Sequence, residues 1–558
     1  MRSTLSQSLF SSGHQRVFAT LLAMPLVLLA EPAAHAQAPA WQTAATVATG
    51  ALGSSVKATA TDAAGNVYVA GRFVGSATFG STVLTSASAG DFDAFVAKWS
   101  PATNSFVWAQ RVGGAGRDEA TAVAVSGTNV YLAGNLPGST SSGNAIDFGG
   151  APLAAAGTGD VFVARLTDAG AFTWALRSTG SSQTTINALA VSGASLYVAG
   201  EFFATTFGSI PLTSAGGTDV FVAKLTDTGA GASYAWAQRA GGILGDQATS
   251  LAVSGTSVFL GGYFRLPATF GGSALTSAQG GFVAKLIDAG ASGAFDWAQS
   301  SGDLVSALAV NGAAVYAAGA FSAGTAVFGT TTLSTGGGFL AKLADAGASA
   351  SYTWALSNDT RSQAVAVRGT SVYVAGYFNG AATAFGSVPL TNSGRSDLFV
   401  AKVTDAGASA SFAWAQRAGG TNDDQATALA VTNTNVFVAG DFQGPSAVFS
   451  GTSLTTAAAV NGFVASLPDA SSPLATSTAR QAAAPITLAP NPAHAETTLH
   501  LRAATETRVL VLLDATGRQV RFQALPAGTA AAPLNVAGLA PGLYHIRCGA
   551  ASQRLVVK

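Results

Sequence analysis

Side chains able to carry acid–base, nucleophilic or metal chemistry are thinly spread in this chain, and where they fall decides what it can do. The five histidines are His14, His35, His494, His500 and His545, so none lies between residues 41 and 467. The one cysteine is Cys548. The long middle of the chain therefore holds no Ser-His-Asp or Cys-His arrangement and no His/Cys zinc set. Cys548 sits in an apolar run and reads as a buried, inert thiol. Carboxylates remain, with Asp91/Asp93, Asp118/Glu119 and Asp423/Asp424 the closest in sequence. Two carboxylates converging across a cleft could cleave a glycosidic bond, and the same groups could take calcium. No EF-hand-like spacing occurs, however, and surface turns account for these residues more simply. No catalytic residue, metal site or cofactor is expected.

One position varies against a nearly fixed background. It follows Val-Tyr-Val-Ala-Gly or a near variant and reads Arg72, Asn135, Glu201, Tyr263, Ala320, Tyr377 and Asp441. At the end of a strand it would lie near one face of a repeat array. Arg72, Asn135, Glu201, Tyr263, Tyr377 and Asp441 are accordingly the candidate ligand-binding residues.

The elements that must position them form a repeat of about sixty residues between Trp41 and Leu467. Each copy opens with an alternating strand such as Ala122-Val123-Ala124-Val125 and a Gly/Asn turn. The Val-Tyr-Val-Ala-Gly strand follows, apolar at successive positions as a strand covered on both faces would be. A short loop with Phe and Leu, as in Phe79 and Leu84, reads as a hairpin packed on the repeat. A Phe-Val-Ala-Lys strand and a tryptophan strand complete the copy. Between them lie turns carrying Asp168, Asp227, Asp288, Asp345 or Asp405, read as turn formers. The Gln-Arg pairs after tryptophan are expected to charge an outer edge strand. Four strands per unit, repeated radially, predict an all-β, seven-bladed β-propeller. The array starts with Trp41 and no strand before it, and ends with Phe463–Ser466 and no tryptophan after it. Trp41 is thus read as the first of the tryptophan series and as the ring-closing strand, beside Phe463 to Leu467.

Gly113-Gly114 … Asp118-Glu119-Ala120-Thr121 followed by Ala-Val-Ala-Val resembles the bacterial SBBP-type propeller repeat, as do the stretches from Gly241 and Gly419. That resemblance implies a scaffold on secreted and surface proteins, with no single chemistry attached.

With 48% hydrophobic and 10% charged residues at zero formal net charge, the chain is neither disordered nor marked for nucleic acid or an anionic membrane. Residues 1–36 read as a signal peptide, from Arg2 and Arg16, the apolar run from Val17 and the cleavage site Ala34-His35-Ala36. The propeller is placed at 37–467 and a Pro/Ser/Ala/Thr linker at 468–484. Residues 485–558 read as a small Ig-like β-sandwich. Its landmarks are Pro490, Asn491, Pro492, Asp514, Gly517, Arg518, Gly542 and Tyr544. In that order they resemble the type A sorting domain of the type IX secretion system of Bacteroidetes. The resemblance implies export by that machinery, then release or attachment to surface lipopolysaccharide. The expected protein is a secreted or outer-membrane-surface scaffold, non-enzymatic and monomeric, that binds a glycan or protein and no nucleic acid. A glycan-active enzyme using face carboxylates, and a purely structural surface-layer component, are the competing expectations.

Overall fold

The last glycine of each Val-Tyr-Val-Ala-Gly copy explains a local irregularity that shapes the domain. A Cβ on Gly71, Gly134, Gly200, Gly262, Gly319, Gly376 or Gly440 would collide with a carbonyl oxygen of the preceding strand. Opposite each glycine that strand carries a β-bulge, between Val56 and Ala58 in the first copy and at the matching place in the other six. Glycine gives the bulged backbone room to approach, and the bulge re-aims one side chain per copy.

The computed structural model describes residues 38–469 and 487–558, apart from 51, 89, 138–144, 155–158, 180–182, 277–279, 323, 335, 502–506, 515–517 and 549–550. The signal peptide read at 1–36, most of the linker read at 468–484, and Gly517 lie outside the described residues. Every element described is a β-strand. The repeat region forms seven antiparallel sheets, each built on four blade strands with a short hairpin between the second and third. Sheet one comprises Ser54–Thr61, Val67–Val74, Phe92–Ser100 and Ser105–Gly113. The first strands of the others are Glu119–Ser126, Thr184–Ser192, Gln247–Ser254, Leu304–Asn311, Arg361–Arg368 and Asp424–Val431. Each first strand packs beside the next, and that of sheet seven packs beside that of sheet one. The fourth strand of sheet seven is Thr43–Thr46, paired with Phe463 to Ser466 of Val460–Pro468. Residues 409 or so apart in sequence are thereby joined, as in the bond from the Trp41 N–H to Ser450 Oγ.

In each repeat the hairpin phenylalanine packs, tilted or edge-on, against the phenylalanine of the third strand. Centroid separations run from 4.6 Å for Phe270–Phe282 to 5.5 Å for Phe148–Phe162, and the pair recurs in all seven sheets. Each such pair contributes about 0.5–1.5 kcal/mol beyond its buried area.

Register corrects the reading of Trp41. In sheet one Trp108 stands opposite Lys98, but in sheet seven the residue opposite the equivalent Ser466 is Thr43. Trp41 lies two residues earlier, in the place of Phe106 and Tyr352. It packs edge-on against Phe449 at 5.1 Å, as Phe106 packs on Phe79, and its indole N–H donates to the Arg417 carbonyl as the Tyr352 hydroxyl donates to that of Ser300. The closing strand lies where the sequence places it, whereas its tryptophan belongs to a different series.

Residues 487–558 form a three-stranded and a four-stranded antiparallel sheet around one core, with Leu499 and Leu534 from the first and Leu510, Leu512, Tyr544, Ile546 and Leu555 from the second.

Candidate functional site

The turn aspartates do more than shape turns. Asp288 of sheet four accepts hydrogen bonds from three groups of sheet three: the Tyr197 hydroxyl at 2.6 Å, Lys224 Nζ at 2.6 Å and the Trp236 indole at 3.0 Å. Burial alone would raise this carboxyl; the bonds from Lys224, Tyr197, Gly290 and Trp236 outweigh it and hold the pKa below the usual value. The arrangement recurs from sheet to sheet. Asp168 meets Tyr68 and Lys98, Asp227 meets Tyr131, Arg165 and Trp174, Asp345 meets Lys285 and Trp297, and Asp405 meets Tyr316, Lys342 and Trp354. Asp469 meets Tyr373, Lys402 and Arg368, so sheet seven reaches two residues into the stretch read as linker. The seam from sheet seven to sheet one breaks the pattern at every member. Phe437 replaces the tyrosine, Ser466 the lysine, Thr43 the tryptophan and Pro101 the aspartate. Ser466 and Thr43 bond each other at 2.6 Å, and fully buried Trp99 packs edge-on against Phe437.

Three seams carry a second device, and these are the ones with the Gly-Gly-x-x-x-Asp motif. The Arg111, Arg239 and Arg417 guanidinia do not charge an edge; each pairs with a wholly buried aspartate, Asp93, Asp219 or Asp397. Beside each lies a second buried carboxyl, Asp118, Asp246 or Asp424, bonded to the N–H of Gly114, Gly242 or Gly420. Gly113 separates the pair so narrowly that a Cβ would sit 2.7 Å from Asp93 Cγ and 2.9 Å from Asp118 Oδ2. Burial, opposed by the Gly114 N–H and assisted by Asp93, pushes Asp118 up to about 7. Burial likewise brings Asp246 to about 6 and Asp424 to about 7. Oδ1 of Asp93, Asp219 and Asp397 has no hydrogen-bond partner among the described residues. At the closing seam the two equivalent positions are Ser54 and Asn461, whose side chains bond directly at 2.5 Å.

The bulges point the other way, into a shared channel. Lys57, Thr121, Asn187, Thr249, Ser306, Gln363 and Thr427, one from each first strand, line a single channel of about 240 Å³. Several stitch neighbouring sheets. Thr121 donates to the Ile186 carbonyl, Asn187 to Ala248, Thr249 to Val305, Thr427 to Val56, and Gln363 to the Gln425 side chain. Next to them, on the second strands, lie the variable residues. Arg72, Asn135, Glu201, Tyr263, Ala320, Tyr377 and Asp441 pair with first-strand residues just before the bulge, beside the channel-lining positions. Their roles differ. Asn135 bonds the Ile186 N–H and carbonyl of the next sheet, and Asp441 accepts the Val56 N–H and the Ser55 hydroxyl. These two serve the seams. Glu201 accepts from Thr218, and Tyr263 accepts from Arg265. Arg72 and Asp441 come together in the wall of a 330 Å³ pocket between sheets one and seven, with Lys57, Phe92, Gln425 and Gln443. The candidate residues therefore do not form one continuous site. Among the described residues no cluster of three or more His, Cys, Asp or Glu side chains is placed to hold a metal ion.

In the C-terminal unit the early Pro-Asn-Pro run is tied to the last strand. The Asn491 side chain donates to the Arg554 carbonyl and accepts the Val556 N–H, while the Pro490 carbonyl accepts from Thr497. Asp514 accepts the Arg518 N–H and pairs with its guanidinium at 3.2 Å. Gly542 starts the strand next to the last one, and the Tyr544 hydroxyl anchors on the Ala540 carbonyl. Residues 487–558 match the secretion system C-terminal sorting domain. The sorting domain marks the protein for the type IX machinery and for export to the cell surface or extracellular space. It covers the Pro490, Asn491, Pro492, Asp514, Arg518, Gly542 and Tyr544 landmarks; buried Cys548 is a core residue within it. No curated protein matches the chain. Among solved structures, an extracellular domain from B. thetaiotaomicron aligns over 93% of this chain and 99% of its own, at 9% identity and a TM-score of 0.18. A likeness at that level carries no argument.

Proposed function

We propose that residues 38–469 form a seven-bladed β-propeller of the SBBP repeat type, carried to the cell surface by the sorting domain, where it serves as a non-enzymatic binding scaffold through its axial face. The observation that carries this reading is the channel lined by one bulge residue from each of seven consecutive sheets. Radial repetition about a common axis accounts for it, and for the packing of the seventh first strand on the first. The variable residues lie beside that axis, with Asn135 and Asp441 among them bonded into seams. The glycan-cleaving reading needs two exposed carboxylates converging on a cleft. The close carboxyl pairs described here are instead buried in seams under arginines, which favours binding without turnover. Surface lipopolysaccharide, a glycan or a protein are the partners this reading allows, and a monomer suffices for it. The test is an array of glycans and matrix proteins probed with the chain from residue 38, with hydrolysis of the same glycans followed in parallel. Binding without product formation is expected; turnover of a bound glycan would overturn the reading.

A further inference from the structure

The first and seventh sheets meet around a pair of loosely held cations. Six bulge positions hold Thr, Asn, Ser or Gln, and five of those bond the neighbouring sheet, whereas sheet one places Lys57 there. The variable position beside it is also a cation, Arg72. Two cations thus share one carboxylate of sheet two, Glu119, at 3.7 Å from Lys57 and 3.3 Å from Arg72. These contacts are long beside the 2.6 Å of Lys224 to Asp288, and Glu119 Oε1 makes no hydrogen bond among the described residues. Asp441, in the same wall, cannot balance the charge by contact, because its two oxygens face Ser55 and Val56. A fold that bonds its buried lysines directly to aspartates seam by seam here leaves two cations with long contacts to one carboxylate, and so with N–H donors to spare at this one pocket. Beyond Glu119, the partner described for the Arg72 guanidinium is the Phe92 ring at 4.3 Å, which fixes its plane and leaves N–H edges for a bidentate acceptor. Arg117 flanks the same ring, paired with Asp91 at 3.7 Å.

We propose that this pocket is a subsite for an acidic sugar, with the sugar carboxylate received by Arg72 and Lys57. The assignment rests on the scaffold reading above and names its ligand class. The volume, about 330 Å³, is at the small end for ligand pockets and suits a terminal sugar rather than a polymer segment. Gln425 and Gln443 supply amide groups for ring hydroxyls, and Leu52, Val74 and Val460 supply apolar wall. Glu119 acts as a built-in competitor, holding the cations in place until the ligand carboxylate arrives.

The experiment is calorimetric titration of the chain from residue 38 with three probes: an oligosaccharide ending in glucuronate, the same oligosaccharide ending in glucose, and a peptide with a free C-terminal carboxylate. The glucuronate form should bind at least tenfold more tightly than either of the others, and more weakly as salt rises. Arg72→Ala should lose at least tenfold with an unchanged melting temperature, and Arg72→Lys should lose less. Glu119→Gln should bind the glucuronate probe several-fold more tightly, an outcome that a merely structural Glu119 would not produce. Equal binding of the glucose form, equal binding of the peptide, or weaker binding by Glu119→Gln overturns the assignment. Absence of glucuronate binding alongside another hit from the array overturns the acidic-sugar subsite and leaves the scaffold standing; an array with no hit at all removes both.

Discussion

Raising the pH from 5 to 7 should destabilise this protein, because three seams hold carboxyls that fold with their protons on. In the unfolded chain an aspartate titrates near 3.9. In the folded protein burial brings Asp118 and Asp424 to about 7 and Asp246 to about 6. For an acid whose folded value is raised, the native state keeps a proton that the unfolded state has released. The stability so contributed is complete below about pH 4 and is lost as the pH climbs to the folded value. Each group then contributes a slope of about 1.4 kcal/mol per pH unit, and for Asp118 the total is on the order of 4 kcal/mol between pH 4 and 7. Asp93, Asp397 and Asp441, also raised by burial, act in the same direction. The seam clamps oppose them only in acid. Asp168, Asp227, Asp288 and Asp405 are held low, so their stability is present above about pH 4 and lost below it. Maximum stability is therefore expected near pH 4–5. The assay is the urea midpoint of the chain from residue 38 at pH 5, 6, 7 and 8. The control is the triple variant Asp118→Asn, Asp246→Asn, Asp424→Asn. Its amides can still accept the Gly114-type N–H and can donate to the unpartnered oxygens of Asp93, Asp219 and Asp397, as Ser54 donates to Asn461. The variant should flatten the slope and be the more stable protein at pH 8. A midpoint that holds or rises between pH 5 and 7, or a triple variant with the parent slope, would refute the reasoning.

Asp405→Ala should cost about 3–5 kcal/mol at pH 7, because it strands the largely buried Lys342 together with the Tyr316 hydroxyl and the Trp354 indole; chemical denaturation measures it, and a loss under 1 kcal/mol would mean that the clamp is not a buried ion pair in energetic terms. Trp41→Ala removes a side chain 7% exposed and should cost a comparable ~3–5 kcal/mol. Protease cleavage near residue 48 should appear with it, and a resistant, equally stable variant would show that the closing strand contributes little.

The seven-fold repeat and the closing strand were legible because strand length, turn residues and buried aromatics recur at a fixed period. The register of Trp41 was not, since a tryptophan looks like another copy of Trp108 until the pairing of Thr43 with Ser466 is known. The clamp was missed for a different reason. Tyr197, Lys224 and Trp236 belong to one repeat and Asp288 to the next, and no local pattern says that they meet. A signal did exist: tyrosine, lysine, tryptophan and aspartate are all lost together at Phe437, Ser466, Thr43 and Pro101. The pocket between sheets one and seven was only half visible, since Arg72 and Asp441 stood out as variable, whereas Lys57 owes its place to a bulge.

The odd seam between sheets seven and one has a consequence for how many sheets the chain can wrap. Were sheet six to dock on sheet one, Lys402 and Tyr373 would face Pro101 and Trp99, and a buried ammonium would lose its counter-ion. Were sheet seven to dock on any other sheet, an aspartate built to receive lysine, tyrosine and tryptophan would meet Ser466, Phe437 and Thr43. Each wrong ending strands a clamp lysine or a clamp aspartate, and the right one strands neither. The apolar joint works as a stop codon written in side chains: it counts to seven, and it keeps one copy of the chain from enrolling the interior sheets of another.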